Sequence, residues 1–272
     1  MSESKLKKVY RNICSIESIL NASTLHNSTM AHQIKDLSTI FAEFKKSLNE
    51  VERNSYELIY ANYFHDTIKH SDWFDEPLSL GAGAIGYNFA YILYRTIDAI
   101  KPTSILELGL GQSTKIIGSY AKHFKGVEHH VVEHDPEWIH FFERNYTISP
   151  ATTIHLLENY KRTFNKTKLN AYKDFGKEFA SQKFDLIAID GPIGSKQEYS
   201  RMDIIELLPE CLNKQFVIIL DDCNRIGEQR TIKLIEEKLH KSNIGYRSSY
   251  HYKGMTDVYV CTSKDLEFLC HI

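Results

Sequence analysis

The chain has 272 residues, 42% of them apolar, which suits one catalytic-sized domain with an appendage and a substantial core. Lysine and arginine number 33 against 35 acids, a formal net charge of −2, so nothing global favours nucleic acid or an anionic membrane as partner. Five scattered cysteines (Cys14, Cys211, Cys223, Cys261, Cys270) without a C-x-x-C pair exclude a disulfide framework and a cysteine zinc site; they read as reduced thiols. The polar start, Met1 to Lys5, leads into no signal-peptide core, and no apolar run approaches the ~18 residues of a membrane span. The expectation is a soluble, cytoplasmic protein without a transmembrane segment.

The first fifty residues carry a heptad pattern. Leu6, Val9, Ile13, Ile16, Leu20, Ser23, Asn27, Met30, Ile34, Leu37, Phe41, Phe44, Leu48 and Val51 alternate spacings of three and four, and only Ser23 and Asn27 are polar. With no Pro or Gly in the segment, the pattern predicts a helical coiled coil over residues 1–52, an oligomerisation segment making the protein a homo-oligomer. Ile19 and Ile40 widen the stripe, as a helical hairpin broken near Asn21 to Ser28 would also require. Residues 53–80 lose the heptad and gather Tyr56, Tyr60, Tyr63, Phe64, Trp73 and Phe74, a connector expected to pack on a domain spanning 81–272.

That domain alternates strand and helix. A helix from about Gly86 to Ile100 ends before Pro102, and Ser104–Leu108 is a short buried strand. A helix over Ser113–Phe124 precedes the second strand, His129–Glu133, and Pro136 opens the next helix. Strands follow at Thr153–Leu157, Phe184–Asp190 and Phe216–Leu220, with a helix expected over 161–182 and another over Gly227–Lys241. Tyr246–Tyr252 and Thr256–Thr262 pair as a closing hairpin. Short apolar strands separated by helices imply an α/β fold, a doubly wound, mostly parallel seven-stranded sheet covered on both faces. Ligands bind such sheets at the carboxyl ends of the strands, where Glu107, Glu133, Asp190, Asp221 and Asp222 stand.

Glu107-Leu108-Gly109-Leu110-Gly111-Gln112-Ser113-Thr114 follows the first strand and opens a helix. Gly109 suits a tight turn and Gly111 a close backbone approach. A dinucleotide fold wants a small residue where Thr114 stands, and places helix amides on a pyrophosphate. A carboxylate at Glu107 repels a pyrophosphate but suits an ammonium group. Glu133, 26 residues on, can accept two ribose hydroxyls. With Val131-Val132-Glu133-His134-Asp135-Pro136, these pieces resemble the class I S-adenosylmethionine-dependent methyltransferases over roughly residues 80 to 265. The resemblance implies a Rossmann-like domain with Glu107, Gly109, Gly111 and Ser113 at the methionine end and Glu133 on the ribose. His134 and Glu158-Asn159 would flank the adenine, and Asp190 would close the cofactor site.

Asp190-Gly191-Pro192 ends one strand and Asp221-Asp222-Cys223-Asn224-Arg225 the next. Hard cations take carboxylate and amide oxygens, so Asp190, Asp222 and Asn224 are candidate ligands for Mg, Mn or a similar divalent metal, as in catechol-type O-methyltransferases, which these positions resemble. Asp190-Gly191-Pro192, Arg201-Met202 and Asp222-x-Asn224-Arg225-x-x-Glu228 together resemble the glucuronoxylan-type polysaccharide methyltransferases. That resemblance implies methyl transfer to a carbohydrate hydroxyl in polysaccharide biosynthesis, with Asp190 and Asp222 catalytic and Arg201 or Arg225 pairing with a substrate carboxylate. Arg225 can equally be an ion-pair partner of Glu228, and His251 is a lesser base candidate. A small-molecule acceptor, a nicotinamide-dependent oxidoreductase and a non-catalytic scaffold are the alternatives.

Overall fold

A computed structural model of the chain describes residues 11–12, 14–16, 28–81, 83–194, 196–251 and 254–272. Leu6, Val9, Ile13, Leu20, Ser23 and Asn27 of the heptad pattern lie outside the described residues. Two compact units, Met1–Ser55 and Tyr56–Ile272, divide within one long helix, α1 (Ser28–Ile68). That helix runs sixteen residues past the expected end of the heptad segment, so the connector begins as helix.

In the first unit, Lys45 Nζ lies 3.9 Å from Cys14 Sγ. A single straight helix would hold residues 31 positions apart at roughly 46 Å, given its 1.5 Å rise. The helical residues 11–12 and 14–16 therefore lie alongside α1, and the break expected near Asn21 to Ser28 falls almost wholly outside the described residues. Ile34 is buried, while Leu37, Ile40, Phe44 and Val51 remain exposed. Among the described residues no helix is long and apolar enough to cross a membrane.

The second unit is a layered α/β structure. In chain order its elements are α2 (Tyr87–Ile100), β1 (Ser104–Leu108), α3 (Gln112–His123), β2 (Glu128–Glu133), α4 (Pro136–Asn145) and β3 (Thr152–Leu156). Then come β4 (Asn159–Phe164), β5 (Thr167–Tyr172), α5 (Phe175–Glu178), β6 (Phe184–Ile189), β7 (Leu212–Leu220), α6 (Ile226–Lys241), β8 (Tyr246–His251) and β9 (Val258–Ser263). Seven strands form one sheet in the order β3-β2-β1-β6-β7-β9-β8, with β9 antiparallel to both β7 and β8 and the remaining pairs parallel.

Period-two alternation explains the nearly continuous apolar strands. Ile105, Leu186, Ala188, Val217, Ile219, Val258 and Val260 face Phe89, Ile92, Leu93 and Ile97 of α2 and Ile116, Ile117 and Tyr120 of α3. Leu106, Leu108, Ile187, Ile189, Ile218 and Leu220 face the other way, onto Phe175 of α5 and Ile232, Ile235 and Leu239 of α6. Strand order reverses between β1 and β6, and the crevice at their carboxyl ends is where such sheets bind ligands.

The start of α2 has no side-chain cap of its own at Gly86. Glu57 of α1 supplies it: Oε1 accepts from Tyr87 N at 2.5 Å, and Oε2 accepts from Met255 N at 2.7 Å. A carboxylate at a helix N-terminus satisfies orphan amides and complements the helix dipole. It also joins the segment before α2 to the β8–β9 loop.

The helix expected over 161–182 is replaced by an antiparallel ribbon, β4 on β5, followed by the short α5. Asn165 and Lys166 both take left-handed φ, 46° and 65°, and join Phe164 to Thr167 as a two-residue hairpin turn. Leu169 and Ala171 then point inward together and pack with Met202. Because Lys166 holds a conformation that costs most side chains and suits glycine, Lys166→Gly is expected to raise stability by about 0.5–1 kcal/mol. The check is the urea midpoint at unchanged slope; a lower midpoint would contradict the turn assignment.

Candidate active site

The parallel ladder continues one residue beyond each strand, which brings the acidic strand ends level. Gly109 N donates to Val132 O at 2.9 Å, Asp190 N to Leu108 O at 2.9 Å and Asp221 N to Ile189 O at 3.0 Å. Gly109 has φ 102°, and a Cβ there would stand 3.2 Å from the Asp190 carbonyl carbon and the Gly191 nitrogen. A Cβ on Gly191 would meet Gly109 Cα at 2.9 Å and Tyr172 Oη at 2.6 Å. The two turns cross in backbone contact, so only glycine fits at both.

Beside this crossing opens a cavity of about 550 Å³. Its walls include Gly109, Gly111, Ser113, Glu133, His134 and Asp190, six of the residues singled out by sequence. Ser79, Gly81, Ile85, Trp138 and Tyr172 also line it, and the sequence reading missed them. Trp138 sits in the first turn of α4, where Asp135 caps the helix through Glu137 N and Trp138 N; its Nε1 donates to Leu110 O at 2.8 Å and fixes the indole against the glycine turn. The pattern Asp-Pro-x-Trp marks a capped helix start, which was the available signal.

Glu133 is buried and held by three backbone amides. Leu110 N donates to Oε2 at 3.2 Å, and His134 N and Asp135 N donate to Oε1 at 2.6 and 3.0 Å. His134 Nδ1 stands 2.7 Å from Oε1 without hydrogen-bond alignment. Thr114 Oγ1 accepts from Gly111 N at 3.0 Å, so the first amide of the turn is already satisfied from within.

Three predicted residues stand apart from the cavity wall and from the charged cluster around Arg201. Glu107 is buried on the α2–α3 side, its Oε2 3.0 Å from His129 Nε2 and its Oε1 without a hydrogen-bond partner among the described residues. Asn159 starts β4, paired in register with Tyr172, and its exposed neighbour Glu158 forms an ion pair with Lys173 at 2.7 Å. His251 ends β8, 3.1 Å from Ser249 Oγ, with burial lowering its pKa.

The remaining acids form one charged cluster. Arg201 is 4% exposed, and its Nη2 bridges Asp190 Oδ1 at 2.9 Å and Asp222 Oδ2 at 2.6 Å. Its Nη1 donates to Asp221 O at 2.9 Å, and Glu228 Oε1 lies 3.9 Å from Nε. Arg225 Nη1 meets the same Asp222 oxygen at 2.6 Å and stands 3.8 Å from Glu228. Burial pushes Asp190 up to about 6, with Arg201 opposing and Asp222 reinforcing the rise. Burial, then Asp190 and Asp222, lifts Asp221 to about 8. For Arg201, burial alone would lower the pKa, but the surrounding carboxylates win and keep it charged.

This arrangement corrects the metal assignment. Asp190 and Asp222 do converge, but a guanidinium nitrogen holds the point between them, and Asn224 is exposed to solvent. Among the described residues no group of three or more His, Cys, Asp or Glu is placed to hold a metal ion. The residues do not fit a divalent site as they stand. Arg201, buried among acids, is likewise not free to meet a substrate carboxylate.

No protein-family model and no curated protein matches the sequence. Among solved structures, the chain is similar to an O-methyltransferase from Bacillus cereus in complex with SAH, at 14% identity and TM-score 0.48, over 78% of this chain and 91% of that one. It is also similar to the O-methyltransferase TomG from Streptomyces achromogenes in complex with SAM, at 12% identity and TM-score 0.48, over 77% and 96%. An SAH-bound methyltransferase from Podospora anserina aligns at 14% identity and TM-score 0.45, over 76% and 88%. With identities this low and TM-scores below 0.5, the functional assignment rests on the site's own residues.

The cluster makes a pH-dependent prediction. An unfolded aspartate titrates near ~4, whereas folded Asp221 titrates at about 8. The folded state holds this proton more tightly, so the stability Asp221 contributes is complete below pH ~4 and is lost as pH rises towards about 8. An asparagine at this position has no such proton to lose, and it still accepts from Thr256 Oγ1 and Asp222 N, the partners of Asp221 Oδ1. Asp221→Asn should therefore gain on wild type across that interval and level off above it. Urea midpoints in a pH series test this; a difference that stays flat with pH counts against a neutral, buried Asp221.

Proposed function

We propose that the chain is an S-adenosylmethionine-dependent methyltransferase acting on a hydroxyl oxygen. The observation that carries this reading is the Glu133 carboxylate, held by three backbone amides on the wall of a cavity that the Gly109 turn opens. Its amides orient the carboxylate, fill Oε1 and leave Oε2 a lone pair for a ribose hydroxyl. The cavity fits the nucleoside in size and chemistry: about 550 Å³, Trp138 and Tyr172 for a base, and Ser113 and the glycine turn for the polar tail. S-adenosylmethionine bound there would supply an electrophilic sulfonium methyl. Asp190 is 31% exposed at its side chain, with Oδ1 on Arg201, and can take up the proton of an acceptor hydroxyl. Its raised pKa makes it a stronger base than an ordinary carboxylate.

Two features of the site oppose a nicotinamide dinucleotide. The Gly111 amide, which a pyrophosphate would use, is bound to Thr114 Oγ1. No lysine or arginine is among the described residues that line the cavity. For the acceptor, we infer a hydroxyl-bearing small molecule or a carbohydrate. Arg225, 39% exposed at its side chain, is the cluster's remaining guanidinium that can meet an acidic sugar. Radiolabelled methyl transfer to uronic-acid glycans rather than to catechols would support the carbohydrate reading, and the reverse outcome would replace it.

Calorimetry tests the cofactor. S-adenosylhomocysteine should bind, and Glu133→Gln should weaken it about tenfold or more, as removal of a charge-assisted hydrogen-bond acceptor does. Tight binding of NAD with no affinity for S-adenosylhomocysteine would overturn the assignment.

We also propose that the first unit makes the protein a homo-oligomer. Leu37, Phe44 and Val51 recur every seven residues on α1 and are exposed, as a seam between copies requires. Phe44→Glu with Val51→Glu should lower the mass in light scattering to that of one chain, 31.5 kDa, without loss of helix content. A single-chain mass for the wild type would dispose of the seam.

A further inference from the structure

We propose that Arg201 is the resident cation of the carboxylate cluster, standing where a divalent cation would otherwise sit, so that removing its positive charge opens a divalent-cation site between Asp190 and Asp222. The inference takes from the functional reading only the assignment of this cluster to the acceptor end of the site.

The donor set around Arg201 is one that hard cations use. Two carboxylate oxygens, Asp190 Oδ1 and Asp222 Oδ2, and one backbone carbonyl, Asp221 O, lie 2.6–2.9 Å from the two terminal nitrogens. Oxygen ligands of these types, carboxylate and carbonyl, are what Mg, Mn and Ca select. The guanidinium occupies all three. Burial at 4% exposure keeps water from displacing the side chain.

Backbone geometry shows that the arrangement is enforced. Arg201 has φ 55° and Asp222 φ 62°, both in the left-handed region that non-glycine residues avoid. Such conformations persist where surrounding contacts over-determine them, and here each residue is held by the other's charge. Glu228, fully buried, faces the same two guanidinium groups from α6 at 3.8–3.9 Å. With Arg201 gone, Asp190, Asp222 and Glu228 would share only the Arg225 charge, and a divalent cation would restore the balance.

The experiment is a titration of the full chain with Mn²⁺, read by the loss of the free-ion paramagnetic resonance signal; no arm needs a nucleoside or turnover. Wild type is expected to leave the signal unchanged up to about 1 mM, the weak end of protein cation sites. Arg201→Ala is expected to bind one Mn²⁺ per chain at least about tenfold more tightly than wild type, and Arg201→Ala with Asp222→Asn to lose it. Wild-type binding that Asp222→Asn abolishes would overturn the proposal, as would a folded Arg201→Ala chain that ignores Mn²⁺. Circular dichroism decides whether Arg201→Ala folds. If it does not, Arg201→Lys keeps one positive charge in place: indifference of wild type and of Arg201→Lys to Mn²⁺ supports the proposal, and Asp222-dependent binding by either ends it. Failure of the methyltransferase reading would show separately, as absence of S-adenosylhomocysteine binding in calorimetry.

Discussion

Four acidic side chains can share one end of this sheet because a guanidinium is buried among them. Asp190 and Asp222 follow neighbouring parallel strands whose ladders end at the same level, so their carboxylates are forced together by topology. Glu228 comes at them from α6, and Asp221 lies alongside. Without Arg201 the group would carry like charges in a medium that screens them poorly, and breaking such a buried pair typically costs about 3–5 kcal/mol. The cluster abuts the crossing of Gly109 and Gly191, so the same interaction that neutralises the acids also sets the floor of the cavity.

Much of the fold was legible because local signals and the global architecture agree. Apolar runs bounded by Gly, Pro and acids marked all five parallel strands, and Pro102 and Pro136 marked helix limits, since proline fixes φ and withholds a donor. The ribbon of β4 and β5 escaped because its sequence is polar and its exposed face carries Lys161, Thr163 and Lys168; the Asn165-Lys166 turn lacks the glycine that usually announces a hairpin. Glu133 was readable from its place at a strand end. Arg201 was marked only through a resemblance, as a partner for a substrate carboxylate; its pairing with Asp190 and Asp222 shows once the fold brings two strand ends to it. Ser79, Gly81 and Ile85 were hidden for the same reason, as they enter the wall from a segment that precedes the sheet.

That wall is tied to the rest of the second unit through Glu57. Its two carboxylate oxygens engage Tyr87 N and Met255 N, and Asn88 Nδ2 donates to Thr256 O at 2.6 Å. Thr256 Oγ1 in turn donates to Asp221 Oδ1 at 2.5 Å. A continuous set of hydrogen bonds thus runs from α1 through the start of α2 and the β8–β9 loop to the acidic cluster. Each donor and acceptor in it is satisfied by a neighbour from a different element, which rigidifies a site assembled from distant pieces of chain.

The sign of the charge around the cavity decides between ligands that the fold alone would admit. Glu133 and Asp190 face it, Glu107 lies close enough to raise the Asp190 pKa, and the nearest guanidinium is already committed to Asp190 and Asp222. A pyrophosphate brings two negative charges and would face carboxylates with no lysine or arginine on the described wall to offset them. At about 4 Å and an effective dielectric near 20, each like-charge encounter costs on the order of 4 kcal/mol. A sulfonium nucleoside with an amino-acid tail brings two positive charges against one carboxylate, and Trp138 and Tyr172 add π faces that attract cations. Acids at the strand ends, with the arginine behind them, favour a positive ligand at a glycine turn that other doubly wound sheets use for phosphate.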